Sequence, residues 1–205
     1  MVEVFGQRFV DEVKERIGTQ YVPVPVGAVR KSTLENFRRL QVENAPAVKY
    51  FQGSRDLCVF FSVASVLHYI GFEEEAKMLA RLGEEKEGGT EQLAELNSFI
   101  SKTLPKWVQV KKINRGFDWT DMDDVSFAVI VLETTSGARN HAVSIFRGMI
   151  FDSNEHEAIL LSKEGLNCCV GGGDGTKYRC VCGGYQYIAR ASNKKMAGTM
   201  FYNSR

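Results

Sequence analysis

In GSRDLCVFFSVASVLHYIGF, residues 53–72, a cysteine stands at the start of a long apolar run, around which the rest of the chain is expected to pack. Large apolar side chains recur at a spacing that predicts a mostly buried helix from Cys58 to about residue 70. The glycine at position 71 is the residue type that most easily closes a helix. Within the run, small side chains allow other elements to approach closely: Ser62, Ala64 and Ser65.

A cysteine in the first turn of a helix has distinctive chemistry. The unpaired backbone N–H groups and the positive end of the helix dipole favour thiolate over thiol, which makes Cys58 a candidate nucleophile. Cysteine is also among the most frequently buried residue types, so a lone cysteine in an apolar run is more often structural. The residues around Cys58 in the sequence therefore decide between the two interpretations.

Three further polar positions complete a catalytic pattern. Gln52, six residues before Cys58, can supply an amide N–H beside the backbone N–H of Cys58 to hold an oxyanion. His141 opens a strand-like run, and Arg147 with Gly148 form a two-residue turn into MIFDSNE, residues 149–155. A hairpin would bring Asp152 or Asn154 beside His141, which predicts a nucleophile, a base and a group that orients the base.

The order Gln52, Cys58, His141 and then Asp152 or Asn154 resembles the papain-like cysteine peptidase superfamily. The resemblance covers roughly residues 50–155 and depends on order and spacing, since the C-G-S-C-W neighbourhood of papain is missing around Cys58. The 83 positions from Cys58 to His141 make the chain similar to compact relatives, such as bacteriocin-processing peptidases and small deubiquitinases. In those relatives an aspartate often fills the third role, which favours Asp152.

The resemblance implies a papain-like α+β fold and a cysteine peptidase, or thiol hydrolase, that cleaves peptide or isopeptide bonds. Cys58, His141 and Asp152 would form the triad, with Gln52 as oxyanion donor. No cofactor and no metal are needed for this chemistry. Two alternatives use the same positions: an acyltransferase or transglutaminase-like enzyme, and a catalytically inactive binding module.

Composition bounds the remaining choices. The chain has 205 residues, a net charge of +1 and 44% hydrophobic residues, as expected for a single catalytic domain spanning residues 1–205. No run suits a membrane span or a signal peptide, and five cysteines favour a reducing compartment, so an intracellular location is expected. The expected partner is a polypeptide, including ubiquitin-like tails. A membrane is not expected, and neither is nucleic acid, because no recognised module accompanies the basic C-terminus.

The hydrophobic period divides the domain into a helical lobe, about residues 1–105, and a β lobe, about residues 106–205. Helices are predicted at 6–17, 32–44, 58–70, 72–83 and 90–104, with a proline-containing strap at 21–29 that is either part of the fold or, with the rest of residues 1–31, a pro-segment. Short antiparallel strands are predicted at 107–113, 127–133, 142–146, 149–152, 157–162, 167–170, 178–183 and 185–189.

Cysteines and histidines outside the triad admit other uses. Cys168, Cys169, Cys180 and Cys182 lie close together, but their spacing differs from paired zinc ligands and favours small buried side chains in a β-hairpin. GGGDGT, residues 171–176, reads as the turn of that hairpin. His68, near the far end of the Cys58 helix, lies too far from Cys58 to act as its base. His156 is a second candidate base with charged neighbours.

Overall fold

The computed structural model describes residues 45–52, 56–86, 91–104, 107–114, 122, 126–135, 140–170 and 178–189. The helices predicted at 6–17 and 32–44, the strap at 21–29 and the turn at 171–176 lie outside the described residues. The described helices are α1 (Cys58–Tyr69), α2 (Glu73–Glu85), α3 (Gln92–Thr103) and α4 (Lys163–Val170). The strands are β1 (Trp107–Ile113), β2 (Ser126–Thr134), β3 (His141–Phe146), β4 (Met149–Phe151), β5 (Ile159–Leu160) and β6 (Tyr178–Ala189).

The six strands form one sheet in the order β1-β6-β2-β3-β4-β5, and every neighbouring pair is antiparallel. Three of the described helices precede the sheet in the chain, so the α+β class predicted from the sequence is confirmed. None of the described helices is long and apolar enough to cross a membrane.

Helix α1 lies at the centre of the larger hydrophobic core. Every residue from Val59 to Leu67 is buried, because α1 packs against α2 on one side and against β3 of the sheet on another. Phe127 and Phe146, on strands of the sheet, belong to the same core as this helix. The expectation of a buried, cysteine-headed helix is therefore confirmed.

The β3–β4 hairpin turns at Arg147 and Gly148, as predicted from the sequence. Both residues have positive φ, 49° and 69°, which is the combination that a tight two-residue hairpin turn requires. The turn fixes the register, in which Phe146 pairs with Met149 and Ser144 with Phe151. This register determines how far the chain beyond β4 lies from the start of β3.

The opposite face of the sheet is covered by α4, which corrects the strand predicted at 167–170. Leu166 and Cys169 pack there against a second core that includes Ile130, Val143 and Ile150. The apolar and polar residues of Lys163–Val170 repeat with a helical period, which the four-residue window NCCV is too short to reveal. Cys168 and Cys169 therefore belong to a helix and not to the predicted hairpin.

Other element boundaries also differ from the predictions. The segments 178–183 and 185–189 form one continuous strand, β6, and only Ile159–Leu160 of 157–162 is strand. Helix α2 runs through Gly83 to Glu85. A β-carbon at Gly83 would lie 2.8 Å from Cβ of Phe60, so this glycine permits close packing of α2 on α1 and does not end the helix.

Candidate active site

Cys58 is the first residue of α1, and its side chain is partly exposed. Leu57, at the N-cap position, is fully buried and has no polar side chain with which to cap the helix. The first turn of α1 contains no acidic residue. The thiol therefore stands at a helix N-terminus whose N–H groups are not neutralised by an acid of that turn, which is the environment expected for a reactive cysteine.

His141, the first residue of β3, contacts Asp152 just beyond the end of β4. Nε2 of His141 lies 2.8 Å from Oδ1 of Asp152, and the two side chains are only 13% and 1% exposed. Because a carboxylate accepts hydrogen bonds, Nε2 carries the proton and Nδ1 is the ring nitrogen left for Cys58. Of the two candidates for the third role, the structure places Asp152 on the imidazole.

The surroundings of His141 favour the imidazolium form. Burial lowers the pKa of His141, but hydrogen bonds to Asp152 and Cys58 and the charges of both groups outweigh burial and raise it from 6.5 to about 10. A pKa of about 10 keeps the ring positively charged at neutral pH. An imidazolium held between a carboxylate and a sulfur atom is the charge arrangement that supports a thiolate nucleophile.

Asn154 connects Gln52 to Asp152. Nε2 of Gln52 donates to Oδ1 of Asn154 over 3.0 Å, and the backbone N–H of Asn154 donates to Oδ1 of Asp152 over 2.9 Å. The amide that the sequence predicts as oxyanion donor is thus connected, through Asn154, to the carboxylate that contacts His141. Oε1 of Gln52 is buried without a hydrogen-bond partner among the described residues.

Gln52 is further held by its backbone, in a segment that pairs with the loop after β4. The N–H of Gln52 donates to the carbonyl of Ser153, and the N–H of Val48 donates to the carbonyl of His156. The N–H of Tyr50 donates to Oγ of Ser65 on α1 over 3.1 Å. This segment, residues 46–52, therefore contacts both α1 and the loop that carries Asp152.

A buried serine pair joins α1, which begins with Cys58, to β3, which begins with His141. Oγ of Ser144 on β3 donates to Oγ of Ser62 on α1 over 3.0 Å, and both side chains are fully buried. Ser144 was not identified as a site residue from the sequence. A signal for it exists, since it is the polar interruption of the apolar run AVSIF, residues 142–146.

Cys169, on the buried side of α4, interacts with Asp152, which the sequence analysis did not predict. Burial, the charge of Asp152 and a hydrogen bond with Asp152 raise its pKa well above the ordinary value for cysteine. Burial and then the Asp152 charge likewise raise the pKa of Glu155. Oδ2 of Asp152 is buried and has no hydrogen-bond partner among the described residues.

The other histidines occupy positions outside this group. His156 is exposed, and its ring stacks on Phe51 with the centroids 5.0 Å apart. His68 lies in the last turn of α1 and meets the ring of Tyr50 edge-on. Within the part of the chain that the structure describes, no three His, Cys, Asp or Glu side chains are grouped to hold a metal ion.

Comparisons with protein-family models, with curated proteins and with solved structures found no match for this chain. The functional interpretation therefore depends on the chemistry and geometry of Cys58, His141, Asp152 and their neighbours.

Proposed function

We propose that this protein is a papain-like cysteine peptidase, or thiol hydrolase, that cleaves peptide or isopeptide bonds in a polypeptide substrate. The observation that carries the proposal is His141, which is hydrogen-bonded to a buried aspartate and whose pKa is raised by that aspartate and by Cys58, the first residue of a helix. A structural cysteine behaves as a small apolar side chain and needs no imidazole beside it. A nucleophilic cysteine does need one.

The proposed reaction begins when the Cys58 thiolate attacks the carbonyl carbon of the scissile bond. The new S–C bond produces a tetrahedral oxyanion, which the backbone N–H of Cys58 and the side-chain amide of Gln52 stabilise. Collapse of this intermediate breaks the C–N bond, and Nδ1 of His141 gives its proton to the leaving amine. The product of this half is a thioester between Cys58 and the acyl group.

In the second half, neutral His141 takes a proton from water as the water attacks the thioester carbonyl. The C–S bond then breaks, the carboxylic acid leaves, and the thiolate–imidazolium pair is restored. Asp152 holds the ring in one tautomer and stabilises its positive charge throughout. Each step uses groups of this chain and water.

The test is the rate at which iodoacetamide labels each of the five cysteines at pH 6, measured by peptide mass spectrometry. An ordinary thiol of pKa near 8.5 is only about 0.3% thiolate at that pH. Cys182 is the internal control, because it is more exposed than Cys58. We expect Cys58 to label about tenfold faster than Cys182, and His141→Ala to remove the difference.

Hydrolysis is measured in parallel, with fluorogenic peptides and with a ubiquitin-like substrate that ends in a diglycine tail. Cys58→Ala should abolish cleavage, and added amines distinguish acyl transfer from hydrolysis by the mass of the product. If Cys58 labels no faster than Cys182, or only after unfolding, its thiol is structural and the proposal is wrong.

A further inference from the structure

The loop that follows β4 contributes a residue with no assigned role, although it touches two members of the site. Asn154 is exposed, yet its side chain accepts a hydrogen bond from Gln52 and its backbone donates one to Asp152. In an exposed asparagine, water can bond to both the side-chain oxygen and the backbone N–H, so exposure alone does not explain these two contacts.

The chemistry of the glutamine amide suggests the explanation. The Nε2 group of a glutamine carries two hydrogens, and the bond to Oδ1 of Asn154 uses one of them. The second hydrogen then points in a direction fixed by the amide plane. A glutamine side chain without such an anchor samples several rotamers, which weakens any hydrogen bond it makes to a transient oxyanion.

The anchor itself is fixed. The backbone N–H of Asn154 donates to Oδ1 of Asp152, and the same oxygen accepts the hydrogen bond from Nε2 of His141. The backbone of Gln52 is fixed independently by the carbonyl of Ser153. The side-chain bond between Gln52 and Asn154 therefore closes a ring of contacts between two backbone segments that are already in register.

We propose that Asn154 is a positioning residue, which orients the side-chain amide of Gln52 so that its second N–H is directed to the oxyanion of the reaction. The inference rests on the proposed function for its catalytic meaning. It separates the two residues that the sequence left as alternatives: Asp152 orients the base, and Asn154 orients the oxyanion donor.

The test compares Asn154→Ala with Asn154→Asp in the full chain. Alanine removes the acceptor oxygen, whereas aspartate keeps an oxygen at the same position. Neither change removes the backbone bond to Asp152. The control is Glu157→Ala, which alters an exposed side chain on the same loop.

For Asn154→Ala we expect kcat on a cleavable peptide to fall by about threefold to tenfold, the range of one ordinary hydrogen bond. KM and the rate of Cys58 alkylation should change by less than about twofold, because alkylation forms no oxyanion. Asn154→Asp should restore most of kcat. In a Gln52→Ala background, Asn154→Ala should cause no further loss, because the group that it orients is gone.

A second measurement does not depend on activity. The side-chain NH₂ signals of Gln52, assigned in ¹⁵N spectra by comparison with Gln52→Ala, should move towards those of a free glutamine in Asn154→Ala and stay in place in Asn154→Asp. Unchanged signals, or a loss of kcat that persists in full in the Gln52→Ala background, would overturn the inference. If the wild type neither hydrolyses substrates nor labels at Cys58, the proposed function fails, and these signals still decide whether Asn154 orients Gln52.

Discussion

Replacing Asp152 by asparagine should lower the pKa of His141 while keeping a hydrogen-bond acceptor in place. His141 has a pKa of about 10, because hydrogen bonds and charges from Asp152 and Cys58 overcome the opposing effect of burial. Asp152→Asn removes one of the two negative charges. Since the carboxylate oxygen lies 2.8 Å from Nε2 and its side chain is 1% exposed, solvent screens this interaction little.

The size of the shift follows from the charge pair. Two unit charges about 4 Å apart interact by about 4 kcal/mol at an effective dielectric constant of about 20. At 1.36 kcal/mol per pKa unit, this corresponds to about three units, and the neutral hydrogen bond that asparagine retains reduces the loss. We therefore expect the His141 pKa to fall by about one to three units in Asp152→Asn.

The direction of the His141 pKa shift determines how activity depends on pH. Because the pKa of His141 is raised, the imidazolium is present at neutral pH and is lost only as the pH rises towards about 10. In the wild type, activity should therefore persist well above pH 8 and decline near pH 10. In Asp152→Asn the decline should begin at a correspondingly lower pH.

The pKa of His141 is measured by NMR titration of its ring C–H signals, which requires no substrate. Measuring kcat/KM over the same pH range shows whether activity declines at the same pH. Glu155→Gln is the matched control, because it makes the same carboxyl-to-amide change in the adjacent turn, and Glu155 is not among the causes of the His141 shift. A titration midpoint within about 0.5 units of the wild type in Asp152→Asn, or an equal shift in both variants, would refute the reasoning.

Two further predictions concern stability. Ser62→Ala should destabilise the fold by about 1–3 kcal/mol, because it leaves the buried Ser144 hydroxyl without the oxygen to which it donates. Ser144→Ala should cost less, because Ser62 Oγ keeps its hydrogen bond to the carbonyl of Val59 at 3.4 Å. In urea unfolding the double variant should cost less than the sum of the two single variants by about 1 kcal/mol, and additive losses would contradict the contact. Gly184→Ala should cost at least about 2 kcal/mol, since Gly184 has φ +146° and an added Cβ would clash with the carbonyl oxygen of Val129. Gly183→Ala is the control, because a Cβ added at Gly183 would lie in open space. Equal losses at both positions would count against this explanation.

The elements that the sequence predicted well are those with long, uninterrupted patterns. The apolar run from Val59 to Leu67 is longer than a typical strand, so a helix was the natural interpretation, and β2 with β3 read as strands from their β-branched residues. Short segments gave less information. The helix at α4 was missed because Cys168 and Cys169 occupy a four-residue window in which helix and strand periods cannot be distinguished.

The choice between Asp152 and Asn154 was open in the sequence for a geometric reason. The β3–β4 ladder pairs Ser144 with Phe151, and three further pairs in the same register would place Asn154 opposite His141. The ladder ends at Phe151, however, and the chain turns there, with the N–H of Glu155 donating to the carbonyl of Asp152. A turn of this kind brings the Asp152 carboxylate to the imidazole, and the sequence pattern alone does not determine where strand pairing stops.

Helix α1 explains how residues distant in sequence are held together. Cys58, Ser62 and Ser65 are separated by four and then three positions, so they lie on one stripe of the helix. Ser62 accepts a hydrogen bond from Ser144, three residues along β3 from His141. Ser65 accepts one from the backbone N–H of Tyr50, two residues before Gln52. The helix that begins with Cys58 thus also fixes the strand of His141 and the segment of Gln52. Small polar side chains suit these positions, because a larger one would hold β3 and the segment 46–52 away from the thiol.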